Sequence, residues 1–322
     1  MDHFRDAGGW LPFASGQVRL DLSHDAGPGG DSLRMDFDFV GGGGFAAARK
    51  VFRRPLPEAF AFRFRLRGKA PPNIFEFKLV DPSGKNVWRF RQEAFAPDEA
   101  WREMRLRTGE IEFAWGPAGG GTIRRLGAIE FVVAAGSGGR GTLWIQDLRL
   151  EDLTPPHPPL ATASSESRGR EARRLFSPGR RAGWRAARPD RAPRLQLDFG
   201  QLREYGGLVI DWDPACRARA FAVQASDDAR RWRTVESIAR SRGSRSFVRL
   251  AGGASRFLRL AFRETGALGP PAIRRIDVRA PDFGRSETEF FHAIASLGPR
   301  GHYPRYLYRE QSYWTCTGIP DG

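Results

Sequence analysis

The chain has 322 residues, 40% of them hydrophobic and 12% aromatic, with a formal net charge of +15. That length suits two domains and part of a third, and the apolar content is enough for real cores. No run of about eighteen apolar residues occurs, so no helical membrane span is expected, and the opening MDHFRDAGGW lacks the apolar stretch of a secretory signal.

Cys216 and Cys316 are far apart in differently organised segments. Two thiols without a framework fit a reducing compartment, so the expected location is cytoplasmic. The base is almost all arginine, since lysine occurs only at Lys50, Lys69, Lys78 and Lys85. Much of the excess falls after residue 160, in runs such as SPGRRAGWRAARPDR. Such a surface suits an anionic partner, namely acidic polysaccharide, nucleic acid or anionic lipid. The arginines are spread over many segments, however, which is the pattern of a solvated surface.

Residues 1–153 read as strands: SLRMDFDFV, AFAFRFRLRG, NIFEFKLVD, NVWRFRQ, WREMRLR, EIEFAW, AIEFVVAAG and GTLWIQDLRLEDL. Phe60, Phe62, Phe64 and Leu66 alternate with Ala61, Arg63, Arg65 and Arg67, the period-two signature of a half-buried strand. The turns DPSGKN and GPAGGG separate strands at the spacing of an all-β sandwich. The glycine runs at 41–45 and 117–121 are loop tips, because no Gly-Lys-Ser/Thr and no helix follows them. A sugar site needs a flat aromatic and a few planar polar groups. Trp88 is the candidate platform here, with Arg89, Arg91 and Gln92 as hydrogen-bonding partners. Trp115, beside the glycine loop, is a second candidate. The competing reading fills the core with Trp10, Trp101, Trp115 and Trp144.

TPPHPPL, residues 154–160, is a proline-rich linker, because proline at this density resists both helix and central strand. Residues 161–281 read as a second all-β segment: RLQLDFG, GLVIDWD, AFAVQAS, RTVESIA, SFVRLA, RFLRLAFRE and AIRRIDVRA. Within it VQASDDARRWRTV is a hairpin whose Ser226, Asp227 and Asp228 supply turn chemistry, and Trp232 is assigned to the core. Arg180, Arg181 and Arg185 around Trp184 make a candidate arginine–aromatic surface for an anionic sugar.

In residues 282–322, SETEFFHAIASLG has a capping-box start, Ser286 then Glu289, and an apolar face of Phe290, Ile294 and Leu297, which predicts a short helix. The aromatic run HYPRYLYREQSYW needs something to bury it. The segment therefore reads as the start of a further, truncated domain.

The second segment resembles the discoidin family, the coagulation factor V/VIII C-type domain. ATASSESRG, LQLDFGQLREYGGLVIDW, VQASDDARRW and SRFLRLAF carry the likeness, in the family's order. The resemblance implies an eight-stranded jelly-roll sandwich with ligand loops at one end. Sugar-binding members often hold calcium before a Thr-x-Trp. The corresponding FSPGRRAGW has no carboxylate, and a hard cation needs charged oxygens, so no cofactor is expected. Residues 1–153 more loosely resemble galactose-binding-like carbohydrate-binding modules, through FKLVDPSGKNVWRF, WREMRLRTGEIEFAWGP and GGRGTLWIQDLRLEDL. RGHYPRYLYREQSYWT resembles the approach to the catalytic region of bacterial discoidin-containing proteins related to six-hairpin glycosidases.

The histidines have no metal spacing, the carboxylates of DWD at 211–213 end a strand as turn chemistry, and no glycine-framed serine elbow occurs. The expected fold is all-β, two tandem galactose-binding-like jelly-roll sandwiches with a short C-terminal extension. The expected function is non-catalytic carbohydrate binding in a glycan-processing protein. The alternatives are modules that brace a downstream catalytic domain, or an arginine-rich binder of anionic polymers. No nucleic-acid module is recognisable.

Overall fold

The computed structural model describes residues 1–5, 7–27, 30–155, 157–176, 183–241, 243–264, 269–297 and 316–319. The chain divides into two compact units, Met1–Thr154 and Pro155–Gly322, each all-β in its body.

The first unit has eleven strands: β1 Leu11–Ala14, β2 Arg19–Gly27, β3 Gly30–Asp38, β4 Phe45–Pro55, β5 Phe60–Lys69, β6 Asn73–Val80, β7 Val87–Phe95, β8 Arg102–Arg107, β9 Glu112–Trp115, β10 Arg125–Ala134 and β11 Arg140–Asp152. They form two antiparallel sheets, a six-stranded one in the order β1-β4-β10-β6-β7-β9 and a five-stranded one in the order β2-β3-β11-β5-β8. The alternation in β5 sets the pattern. Phe60, Phe62, Phe64 and Leu66 are buried between the sheets, and the arginines between them point outward. Phe62 meets Phe77 at 5.2 Å between ring centres and Phe64 meets Phe131 at 5.1 Å, so β5 of one sheet interlocks with β6 and β10 of the other. Burying each ring stabilises the unit by roughly 2–3 kcal/mol. Three strands are not apparent from the sequence pattern, β1, β2 and β4. In β4 the core residues are Ala46 and Ala48, and alanine is a poor strand former that leaves little periodic signal.

The second unit contains β12 Leu160–Ala163, β13 Trp184–Arg185, β14 Arg194–Trp212, β15 Ala220–Ser226, β16 Arg233–Ile238, β17 Arg245–Glu264, β18 Ala272–Arg279, helix α1 Glu287–Leu297 and β19 Cys316–Ile319. The sequence reads RLQLDFG and GLVIDWD as separate strands, and likewise SFVRLA and RFLRLAFRE. Each pair is one long strand, β14 or β17. These two pair with each other at both ends and through the middle, with register shifts between Asp198 and Arg203 and between Tyr205 and Gly207. Beyond the shifts their outer neighbours change. β12 and β15 flank one end of the ladder, and β18 and β19 flank the other. The ladder thus bends through both layers of a sandwich whose core includes Leu195, Leu197, Leu208, Ile210, Leu258 and Leu260. At the bend Tyr205 is fully buried and its hydroxyl is 2.8 Å from Ser255 Oγ. Its ring lies against Gly253, where a β-carbon would sit 2.1 Å from Tyr205 Cε2, so only glycine fits there.

Helix α1 starts as its capping box predicts, with Glu289 N donating to Ser286 Oγ at 3.1 Å. Its apolar face packs onto the second sandwich. Phe290 and Ile294 are buried with Phe283 and with Val209 and Phe247, neighbours on β14 and β17, and Leu297 packs against them. Residues 298–315, which hold most of the aromatic tail, lie outside the described residues.

Candidate functional site

The outer face of the six-stranded sheet is built in rows that cross it strand by strand. One row runs Leu11–Arg49–Glu130–Lys78–Arg89–Glu112, from β1 to β9. The next runs Phe13–Ala47–Val132–Glu76–Arg91. On the other side lie Val51, Ala128, Val80, Val87 and Trp115. This is an unusual outer face, because several of its polar residues are buried. The Glu76 side chain is only 4% exposed, yet it is a carboxylate. Three cations close on it: Arg89 Nη1 at 2.7 Å, Arg91 Nη1 at 3.1 Å and Lys78 Nζ at 2.9 Å. Beside it Arg49 Nη1 donates to Glu130 at 3.0 Å. A buried carboxylate persists only when paired and hydrogen-bonded, and here the pairing fixes the guanidinium planes.

Aromatic rings border this charged floor. Trp115 is 47% exposed and Phe13 54% exposed. Lys78 Nζ lies 5.3 Å from the Trp115 ring centre and 5.4 Å from that of Phe45, and Phe45 contacts Phe13 at 5.5 Å. Arg89 approaches the Trp115 ring at 5.8 Å. Trp115 therefore offers an exposed ring whose orientation is held by cations.

Local turn chemistry puts Trp115 there. Asp81 opens the DPSGKN turn by accepting from Ser83 Oγ at 2.8 Å and Asn86 Nδ2 at 2.9 Å. Burial pushes its carboxyl up, but hydrogen bonds from Asn86 and Ser83 outweigh this and hold it below its ordinary value. Asn86 Oδ1 then accepts from Ala118 N at 2.7 Å, which ties the turn to the glycine loop after Trp115. At Gly116, φ is +131° and an added β-carbon would meet Asn86 Oδ1 and Lys85 O at 2.5 Å, so the close approach of the two loops needs glycine.

The sequence candidates divide. Arg89, Arg91 and Trp115 come together on this face. Trp88 is on the opposite side of β7. It is 5% exposed, opposes Leu79 in the core, contacts Phe113 edge-on and donates its indole N–H to Gly121 O at 2.7 Å. Its ring faces are packed, so Trp88 is a core residue that anchors the glycine loop, not a platform. Gln92 opposes the core residue Phe75 and so does not share the side of Arg89 and Arg91. In the second unit Trp184 is fully buried, stacks on Phe262 at 5.6 Å and donates to Ser165 O at 3.0 Å. It too is a core residue and offers no free ring. Arg185 is half-buried and donates to Asp213 at 3.2 Å. Arg180 and Arg181, with most of FSPGRRAGW, lie outside the described residues.

The tryptophans assigned to the core by the competing reading divide as well. Trp10 is buried, with its indole on Asp2 Oδ2 at 3.0 Å. Trp101, Trp115 and Trp144 are all at least partly exposed. Trp232 also lies outside the core, half-buried beneath the Arg259 guanidinium at 3.9 Å, while Asp228 caps the preceding turn by accepting from Arg230 N and Arg231 N at 2.8 Å. That hairpin turns a corner and stacks an arginine. The residues overlooked by sequence reasoning are Glu76, Lys78, Glu130, Arg49, Phe13 and Phe45. For Glu76, Lys78 and Glu130 the signal is a charge inside a strand otherwise apolar on both sides, as in FEFKLV and AIEFVV, whereas Phe13, Phe45 and Arg49 belong to the two strands β1 and β4 that the pattern does not reveal. Among the described residues no three His, Cys, Asp or Glu side chains gather as metal ligands, and no helix is long and apolar enough to cross a membrane.

Residues 161–272 match the family of the F5/8 type C domain, where the discoidin resemblance placed it. No curated protein matches the chain. Solved structures similar to parts of it include a chitosan-binding module of a Paenibacillus sp. IK-5 chitosanase/glucanase in complex with chitotriose, at 17% identity, covering 38% of this chain and 97% of that one with a TM-score of 0.36. A family 11 carbohydrate-binding module from Clostridium thermocellum in complex with a β-1,3-1,4-mixed-linked tetrasaccharide is 14% identical, covering 47% of this chain and 94% of that one, TM-score 0.39. A Clostridium perfringens CBM32 module in complex with GalNAc-β-1,3-galactose is 15% identical, covering 37% and 94%, TM-score 0.34.

Proposed function

We propose that this chain is a non-catalytic carbohydrate-recognition region, and that the outer face of the six-stranded sheet is its glycan site. The observation that carries the reading is the joining of an exposed Trp115 ring to a fixed set of charged donors and acceptors on Glu76, Lys78, Arg89 and Arg91. A pyranose presents C–H groups on its faces and hydroxyls around its rim. A tryptophan ring suits the first, and guanidinium and carboxylate edges suit the second. The floor pairs its opposite charges, which favours neutral sugars over ions. The site is open and shallow, so affinity falls between about micromolar and millimolar, roughly −8 to −4 kcal/mol. Such a module serves a protein that processes glycans by holding it on its substrate.

The test is a screen of the intact chain against soluble polysaccharides and a glycan array, at low and high salt. The expected result is salt-resistant binding to a neutral glycan that falls at least tenfold in Trp115→Ala, about 1.4 kcal/mol, and stays unchanged in Trp232→Ala. Binding that survives Trp115→Ala would move the glycan site elsewhere. No binding at either salt would favour a bracing role.

A further inference from the structure

The opposite side of the first unit carries a second, differently constructed surface. On the outer face of the five-stranded sheet one row runs Ser23–Arg34–Trp144–Arg67 across β2, β3, β11 and β5. Arg67 lies 4.8 Å from the Trp144 ring centre and 5.0 Å from that of Trp101, so one guanidinium is held between two indoles. Arg34 takes the Trp144 ring at 5.4 Å and Arg65 the Trp101 ring at 5.4 Å. Trp144 is fixed further by its indole N–H, which donates to Asp25 at 2.7 Å.

The cations of this row are not equivalent. Arg34 is spoken for by Asp36, through bonds of 2.7 and 3.1 Å. Arg65 donates to Gln146 at 3.3 Å. Arg67 has no acceptor among the described residues, and its Nε is buried without a partner. That buried Nε has lost its hydration and recovered nothing in return except the two rings, while the terminal nitrogens are left to face an outside acceptor. Next on the same side of β5 is Lys69, whose ammonium meets only Glu99 among the described residues, at 3.8 Å and well exposed. Beside these residues opens a cleft of about 580 Å³, lined by Arg19, Asp21, Asp36, Lys69, Arg140 and Thr142 with the Trp144 ring. That volume is in the range of small-ligand sites. Its carboxylates are partly satisfied, since Asp36 also accepts from Thr142 Oγ1 at 2.5 Å and Asp38 accepts from Val40 N at 2.8 Å.

We propose that this cleft binds acidic sugar units of the uronate type, with Lys69 on its lining and Arg67 just beyond the Trp144 ring taking sugar carboxylates, and Asp21 and Asp36 accepting from ring hydroxyls. A neutral sugar would leave Arg67 unmatched, and a bare anion would leave the aspartates without hydroxyl donors. A sugar acid supplies both complements in one molecule. The planar fork of a guanidinium matches a carboxylate with two parallel bonds. The site does not depend on the glycan site proposed for the six-stranded face, and it predicts a chain with two glycan preferences on opposite sheets.

The experiment is titration of the intact chain with trigalacturonate, with the neutral galactotriose and with a sulfated galactotriose. Heat of binding and the indole N–H signals of the tryptophans are followed together. Trigalacturonate is expected to bind at least tenfold more tightly than galactotriose and to weaken with added salt. It should shift the Trp144 and Trp101 signals without moving that of Trp115. Arg67→Gln should lose at least tenfold for trigalacturonate, Arg67→Lys should lose part of that, and Trp115→Ala should lose nothing. Lys69→Gln is the second reading should Arg67→Gln fail to fold, and it should lose at least threefold. Equal binding of the acidic and neutral trisaccharides would overturn the proposal. So would retention in both the Arg67 and Lys69 variants, loss in Trp115→Ala, or a preference for the sulfated probe. Failure here with neutral-glycan binding intact at Trp115 would leave the first site standing.

Discussion

Trp88 and Trp115 sit on paired neighbouring strands, and a register shift between Val87 and Trp88 separates their fates: Trp115 has the parity of the core-packed Phe113, yet the shift sets it opposite Val87 on the outer face. Trp88 faces Leu79 and the core, whereas Trp115 ends its strand at a glycine loop and is left outside. The assignment makes a sharp test. Trp88→Phe keeps most of the ring but loses the indole donor to Gly121 O. It should cost about 1 kcal/mol of stability, the net worth of a neutral hydrogen bond with some cavity added. Urea denaturation would show this as a lower midpoint, and glycan affinity should not change. A loss of affinity with unchanged stability would return Trp88 to the platform role. The sequence held a usable signal for Trp144. Leu143 and Ile145 on either side of it are both apolar and buried, so alternation alone turns Trp144 outward. Its size argued for the core and hid that parity.

At the scale of elements, the bend shared by β14 and β17 and the helix laid over them decide how the second unit behaves. Burial raises the Tyr205 hydroxyl above its ordinary value of 10.0, with the Ser255 hydrogen bond opposing it. A raised folded value means that the folded state keeps its proton where the unfolded state has lost it. The contribution is therefore complete below about pH 10 and is lost as pH climbs toward the folded value. Thermal unfolding of the native chain should show a steeper alkaline decline above pH 10 than Tyr205→Phe shows, and parallel curves would reject the assignment. Helix α1 makes the second element-scale prediction. Phe290 is fully buried against Phe283 at 5.2 Å and belongs to the cluster with Val209 and Phe247. Phe290→Ala should cost about 3 kcal/mol, seen by calorimetry as a lower Tm of the second unit. A Tm unchanged within a degree would mean that the helix does not stabilise the sandwich. The capping box and apolar spacing of α1 were readable in the sequence. That the surface it covers is made by Val209 and Phe247 was not, because both lie within near-continuous apolar runs that give no face.

For the molecule as a whole, strand content was largely legible, because period-two alternation is strong wherever one side of a sheet is wet, as in β5. It failed where small residues fill the core, as in β4, and where a strand is too exposed to show contrast, as in β2. The proposed glycan face was legible only at its margins. Arg89, Arg91 and Trp115 stand out as aromatic and basic residues in one neighbourhood. Glu76 and Glu130 become meaningful only when three strands bring them into rows with Lys78 and Arg49. Register is a property of pairs of strands, and single-strand patterns do not carry it. The arginine excess has a parallel explanation. Many arginines are paired with aspartate or glutamate or stacked on aromatic rings, so formal charge overstates the free positive surface. Among the described residues Arg67 lies between two rings and has no acceptor.

The long β14–β17 ladder also constrains how the second unit is made. Its two strands meet only after the β15–β16 hairpin between them has been synthesised, and neither layer can close before that meeting. Until then each strand is an unpaired edge of unusual length, open to the same strand of another chain. Refolding of this unit should consequently be slow for its size, because non-local pairing precedes most of its contacts, and its yield should fall as chain concentration rises.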